Sequence, residues 1–314
     1  MNKFKYHLPQ LGGDIFLTDA GIETTLIFQE GLELPYFAAF DLLKDHKGTE
    51  ALRNYFRGHA AIARDAGAGF ILESATWRAS SDWGDKLGYS AEALAEANRK
   101  AIVLLRELQA EFQTKRSPMV ISGCVGPRGD GYVAGEVMSV EAAEAYHAQQ
   151  INVFADADVD FVTAITMTNT PEAIGVTRAA QAAGLPVVIS FTVETDGRLP
   201  TGEALKDAIG TVDRATGNGP AYFMINCAHP THFDNVLDGG AWIERIRGIR
   251  ANASKCSHAE LNEAEVLDAG NPVELGEQYR DLRNRFKHIN VLGGCCGTDH
   301  RHIEQICISC MEAA

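Results

Sequence analysis

No stretch of this 314-residue chain approaches the roughly 18 consecutive apolar residues that mark a membrane span. The opening Met1-Asn2-Lys3-Phe4-Lys5-Tyr6-His7 also lacks the apolar core of a signal peptide, so the cytoplasm is the expected compartment. Positive charge is scarce. There are 28 Lys and Arg against 42 Asp and Glu, a net charge of −14, which disfavours nucleic acid or an anionic membrane surface as a partner. The balance suits a protein that handles small, even cationic, ligands. The seven cysteines have no framework of regular spacings, which argues against a disulfide scaffold. No Gly-x-Gly-x-x-Gly follows the first apolar run, so a dinucleotide-binding doubly wound sheet lacks its usual mark. No break in composition divides the chain, and one domain over 1–314 is expected.

What is present is an alternation. Apolar runs of four to eight residues, each ending in glycine, proline or small polar residues, alternate with longer segments of helical periodicity. Eight strands are expected, at Asp14–Ala20, Gly69–Ser74, Met119–Cys124, Asp160–Thr166, Pro186–Thr192, Ala221–Cys227, Gly248–Ala253 and Ile289–Gly293. Helices fill the gaps, roughly over Glu50–Ala66, Ala91–Phe112, Val140–Ala157, Pro171–Ala183, Gly202–Thr216, Phe233–Leu237, Leu275–Phe286 and His300–Met311. Ser90 and Ser139 are expected N-caps, Pro171 belongs to a first turn, and Gly67 and Gly184 are expected stops. Eight such units predict a single (β/α)8 TIM barrel, whose active site lies at the C-terminal ends of the strands. Two long stretches, Ala75–Tyr89 and Asn252–Pro272, are candidates to cover a substrate there, or else are solvated excursions.

At the last strand end stands Gly293-Gly294-Cys295-Cys296-Gly297-Thr298. Adjacent cysteines can ligate one ion only if the backbone between them bends tightly, and the three glycines allow that. Cys227, in Ile225-Asn226-Cys227-Ala228, ends another apolar run and offers a third thiol on the same rim. Three thiolates with one open position describe a catalytic zinc site. Buried inert thiols remain an alternative on spacing alone, and a strained Cys295–Cys296 disulfide is a more distant one.

The Gly-Gly-Cys-Cys-Gly stretch near the C-terminus, with its upstream Asn-Cys, resembles the homocysteine S-methyltransferase family. Three further stretches agree: Asp19-Ala20-Gly21-Ile22-Glu23-Thr24-Thr25-Leu26, Ser122-Gly123-Cys124-Val125-Gly126-Pro127 and Ser190-Phe191-Thr192. In the first of them Ala20 and Glu23 stand where the family carries glycine. The resemblance implies Zn2+ held by Cys227, Cys295 and Cys296. It also implies methyl transfer from an onium donor (S-methylmethionine, S-adenosylmethionine or a betaine-like compound) to the thiol of L-homocysteine, giving methionine. Three protein thiolates and one substrate thiolate on zinc leave an electron-rich, nucleophilic sulfur, so no base beyond the metal is needed.

Asp19 and Glu73, at strand ends, are candidates to receive the amino group of the substrate, with Asn226 beside them as a further substrate contact. Trp77, then Trp83, could face the cationic donor. Family members usually carry a glutamate at the end of the fourth strand, where it meets the amino group. Here Ala164-Ile165-Thr166 places Ile165 at that point, and an apolar side chain cannot pair with an ammonium. A different small thiol or selenol as acceptor therefore stays open, as does a non-catalytic zinc- or thiol-binding barrel. Cys307 and Cys310, three apart on the last helix, read as packing. Cys124 points toward the barrel mouth, and Cys256 is expected in an exposed loop. His229 and His232 are expected as solvated loop histidines, with hydrogen-bond partners of the metal ligands or a fourth ligand as the other reading, and His300 and His302 start the last helix.

Overall fold

The computed structural model describes Phe4 and residues 7–311; most of the N-terminal stretch read for a leader lies outside them. Strands β1 (Phe16–Leu17), β2 (Gly69–Glu73), β3 (Met119–Val125), β4 (Phe161–Met167), β5 (Val187–Thr192), β6 (Tyr222–Asn226), β7 (Ile246–Ala251) and β8 (Val291–Gly294) follow one another in chain order around a closed parallel barrel. β1 closes it, pairing Phe16 and Leu17 with Gly69 and Phe70 on one side and with Val291 and Leu292 on the other. It is shorter than the expected Asp14–Ala20 because its ladder to β2 stops at Leu17. Past that point only β8 is bonded, through Thr18 N to Leu292 O at 2.9 Å and Gly294 N to Asp19 O at 3.0 Å.

The surrounding helices follow from local chemistry. Ser90 and Ser139 cap Ala91–Phe112 and Val140–Asp156 by accepting from Ala93 N and Ala142 N. Asn169 caps Thr170–Ala182, with Pro171 in the first turn, and Gly67, left-handed at φ 72°, ends His46–Ala66. Leu205–Thr216, Pro272–Arg285 and His300–Met311 complete the outer ring. The helix expected over Phe233–Leu237 is instead a single turn, Pro230–Phe233, followed by a 3-10 turn over Asp234–Val236. Its start is fixed earlier than expected by Pro230. Among the described residues no helix is long and apolar enough to cross a membrane.

The two-residue period of the strands sorts the interior into layers. Phe16, Ile71, Val120, Phe161, Val188, Tyr222, Met224 and Val291 pack together as one buried apolar cluster inside the barrel. Two residues further along several of the same strands come Glu73, Ser122, Thr163 and Ser190, all buried, joined by Asn226 on β6 and Arg250 on β7. An apolar plug therefore supports a polar floor. That floor is internally bonded: Ser122 Oγ lies 3.3 Å from Glu73 Oε1 and 2.7 Å from Thr163 Oγ1.

Phe161→Ala, which opens a void in the plug, is expected to cost about 3–5 kcal/mol of stability. Urea unfolding reads the loss, and metal uptake by the thiols, which lie beyond the polar floor, should persist in the folded variant.

Candidate active site

Each of the three thiols is aimed by an unusual piece of backbone. Cys227 directly follows β6 and adopts a left-handed conformation, φ 57°, which costs a non-glycine residue about 1–3 kcal/mol unless its surroundings hold it. They do: Cys227 N donates to Arg250 O at 3.1 Å, and its carbonyl accepts from Asn252 Nδ2 at 3.0 Å and lies 2.7 Å from His258 Nε2. Thr166 on β4 is also left-handed, φ 65°, and is braced by Asn226, whose Oδ1 accepts from Thr166 N at 3.0 Å while Nδ2 donates to Thr166 Oγ1 at 2.9 Å. Ser190 Oγ donates to the same Oδ1 at 2.6 Å. Asn226, expected as a substrate contact, is fully buried; its amide holds two strand ends and its Nδ2 also reaches Cys295 Sγ at 4.0 Å.

Cys295 and Cys296 sit on the turn after β8. Cys295 N donates to Ala251 O at 2.8 Å, and Ala253 N to Cys296 O at 3.0 Å, so the neighbouring strand end fixes both. Of the three flanking glycines only Gly297 is left-handed, φ 80°. Gly293 is needed for closeness instead, since a Cβ there would overlap Thr18 Oγ1.

The result is convergence. Cys227 Sγ lies 2.9 Å from Cys295 Sγ and 3.6 Å from Cys296 Sγ, and all three sulfurs fall within 4.8 Å of one another. Tyr132, from the loop after β3, donates its hydroxyl to Cys296 Sγ at 3.2 Å and stacks on His258, ring centroids 4.1 Å apart. Cys295 is held well below the usual thiol range because Cys227 and Cys296 hydrogen-bond to it, with Arg250 adding favourable charge. Cys227 is pushed up in turn by the same contacts.

The sulfurs open into a cavity of ≈ 340 Å³, lined also by Glu23, Trp77, Arg78 and Ile165. Both long stretches contribute to it, Ala75–Tyr89 through Trp77 and Arg78 and Asn252–Pro272 through Leu261 and Leu267. Asp19 and Glu73 come together, but around a partner that sequence reasoning missed. Arg250 Nη2 bonds Asp19 Oδ1 at 2.8 Å and Nη1 bonds Glu73 Oε2, all three side chains being buried. Tyr55 donates its hydroxyl to the other oxygen of Asp19 at 3.0 Å. Burial works against the Arg250 charge, but Asp19 and Glu73 outweigh it and hold the guanidinium above its ordinary range. Glu73 is pushed up to about 7 by burial, opposed by Arg250. Glu23 is likewise pushed up to about 7, by burial and then by the neighbouring Cys295 and Asp19.

The indoles are placed differently from expectation. The Arg78 guanidinium lies 3.9 Å from the Trp77 ring centroid and 3.8 Å from that of Trp83, and Lys86 Nζ also lies 3.8 Å from Trp83. A further cation stacked in Arg78's place would meet like charge. His229 and His232 are buried rather than solvated. Their rings bond Thr231 Oγ1 and Lys255 O, not the thiols. Cys124 is buried and lines the cavity, Cys256 is half-buried, and Cys307 and Cys310 are buried on the last helix. His300 and His302 begin that helix, as expected. A charged residue inside the buried seventh strand was the available signal for Arg250; nothing in the sequence around Tyr132 or His258 pointed to the thiols.

A family model described as homocysteine S-methyltransferase matches residues 16–310. No curated protein sequence matches the chain. Among solved structures, the oxidised form of the Escherichia coli homocysteine methyltransferase MmuM is similar, with a TM-score of 0.74 at 19% identity, covering 95% of this chain and 97% of that one. Its metallated form gives 0.72 at 20% identity, covering 94% and 96%. At such identities the likeness is one of fold.

Arg250→Met strands two buried carboxylates and is expected to cost about 3–5 kcal/mol. A carboxyl raised to about 7 keeps, between its ordinary 4.5 and about 7, a proton that the unfolded chain releases, so its contribution to stability falls as pH rises through that window. The deficit of the variant in denaturant unfolding should therefore be larger at pH 8 than at pH 5.

Proposed function

The chain belongs to the homocysteine S-methyltransferase family, and from that premise we propose that it moves a methyl group from a carboxylate-bearing onium donor to the thiol of L-homocysteine, with zinc held by Cys227, Cys295 and Cys296. The observation that carries this reading is the convergence of three sulfurs within 4.8 Å at the wall of one cavity. The donor set fits the ion. All three are soft sulfur ligands, one is already favoured as thiolate, and among the described residues no cationic side chain bonds to them. Zinc bound there would supply a Lewis acid that keeps the acceptor sulfur deprotonated at neutral pH.

The residues of the chain supply the rest. Transfer breaks the carbon–sulfur or carbon–nitrogen bond of the onium, whose electron pair stays on the leaving atom, and forms the new sulfur–methyl bond. An onium and a thiolate become two neutral groups. A water-poor cavity favours that charge annihilation, and Ile22, Phe28, Phe37 and Ile165 give this one apolar walls. Tyr132 fixes the orientation of Cys296, and the left-handed Cys227 keeps its sulfur on the same side as the pair. Arg78 hydrogen-bonds no carboxylate among the described residues and feels Asp130 and Glu23 only at longer range, although its side chain is buried in the cavity wall. S-methylmethionine, S-adenosylmethionine and betaine each bring a carboxylate that it could meet, while their cationic ends would lie toward the thiols and away from the ring faces that Arg78 occupies.

Reduced, zinc-loaded protein given S-methylmethionine and L-homocysteine is expected to form methionine, detected by mass spectrometry, and a chelator should abolish product. Cys295→Ala should lose zinc and turnover together while remaining folded, whereas Cys307→Ala should change neither. Product formed undiminished by the metal-free protein would overturn the zinc assignment.

A further inference from the structure

With Ile165 lining the cavity, the wall of β4 offers the acceptor no carboxylate. The acidic residues that line the cavity are Asp19, Glu23, Glu73, Asp130 and Asp268. Asp19 is bonded by Arg250 and Tyr55, and Glu73 by Arg250 and Ser122. Asp130 accepts from Tyr132 N and Val133 N, both at or under 3.2 Å. Asp268 accepts from Gly270 N and from Ser254. Each of these four has donors on other residues. Glu23 does not: its carboxylate meets only its own backbone N–H, in the short turn Ile22–Thr24 just past β1. It is partly buried, faces the same cavity as the three sulfurs, and has Cys295, Asp19, Arg250 and Arg78 as charged neighbours without a hydrogen bond to any of them.

A carboxylate left without a donor at the edge of a thiol site is costly to bury and is stabilised by an incoming cation. Deepening the reading above, and resting on it, we infer that Glu23 is the residue that reads the α-ammonium of the acceptor, making this site specific for thiols that carry an amino group. The acceptor sulfur lies among the cysteines and its ammonium a few bonds away, which suits a carboxylate adjacent to Cys295. Glu23 stands at a position where a glycine would have no side chain to offer.

The test compares equilibrium binding of L-homocysteine and of 4-sulfanylbutanoate, the same thiol without the amino group, to the reduced, zinc-loaded protein by calorimetry. The wild-type chain should prefer homocysteine by at least about tenfold, the range of a charge-assisted hydrogen bond. Glu23→Gln should remove most of that preference by weakening homocysteine alone, with zinc content and melting temperature unchanged. A preference retained in Glu23→Gln overturns the inference, as does equal weakening of both thiols, which would mark a role in holding the metal or the fold. Absence of any preference in the wild type overturns it too, although methylation of the desamino thiol would then leave the methyltransferase reading intact. If Glu23→Gln removes the preference but no onium donor yields a methylated product, the inference stands and the proposed reaction falls.

Discussion

Everything at the rim depends on two strand ends, β6 and β8, being held at a fixed separation by β7 between them. Cys227 hangs from one and the Cys295–Cys296 pair from the other, and the backbone of β7 and its extension bonds both through Arg250 O, Ala251 O and Ala253 N. Tyr279 ties β7 to β8, accepting from Ala251 N at 2.8 Å and donating to Gly293 O at 2.6 Å. Because sulfur–sulfur proximity is set by a hydrogen-bonded ladder rather than by flexible loops, the thiols are brought together before any ion arrives.

Charge is arranged around this frame in a graded way. The apolar plug gives way to a polar floor, and there one guanidinium is shared by two carboxylates, which offsets part of their negative charge at the base of the site. Above the floor the pairing stops. Arg78 and Glu23 line the cavity wall without a hydrogen bond to any described side chain of opposite charge, each feeling such charge only at longer range. Residues paired within the protein hold the architecture, and those left unpaired are available to substrate.

Much of this was legible in the sequence. All eight strands fell where alternating apolar runs predicted them, because a parallel barrel buries both faces of its strands and writes that burial as continuous apolar stretches. Ser90, Ser139 and Gly67 marked helix ends through chemistry that acts within a few residues. The thiol trio was legible because three cysteines ended apolar runs and the stretches around them resemble a known family, whereas spacing alone left buried inert thiols open. What escaped was long-range pairing. Asp19 and Glu73 were read as free to meet substrate, and their claim by Arg250, far along the chain, depends on which side chains share a layer inside the closed barrel. Trp77 was read as open to a cation, yet Arg78, its immediate neighbour in sequence, takes that place through a side-chain direction that spacing does not encode. Asn226 was read as a substrate contact; it braces the left-handed Thr166 and reaches Cys295 Sγ, a placement fixed by backbone angles that no residue type announces.

The central claim is that these three sulfurs form one metal centre, and zinc-edge X-ray absorption on the reduced, zinc-loaded protein tests it most directly. The account predicts a first shell of three sulfur scatterers at about 2.3 Å with a lighter atom completing it, reduced by one sulfur in Cys227→Ala if the ion is retained at all. A wild-type shell with fewer than three sulfurs, or one left unchanged in that variant, would contradict the account.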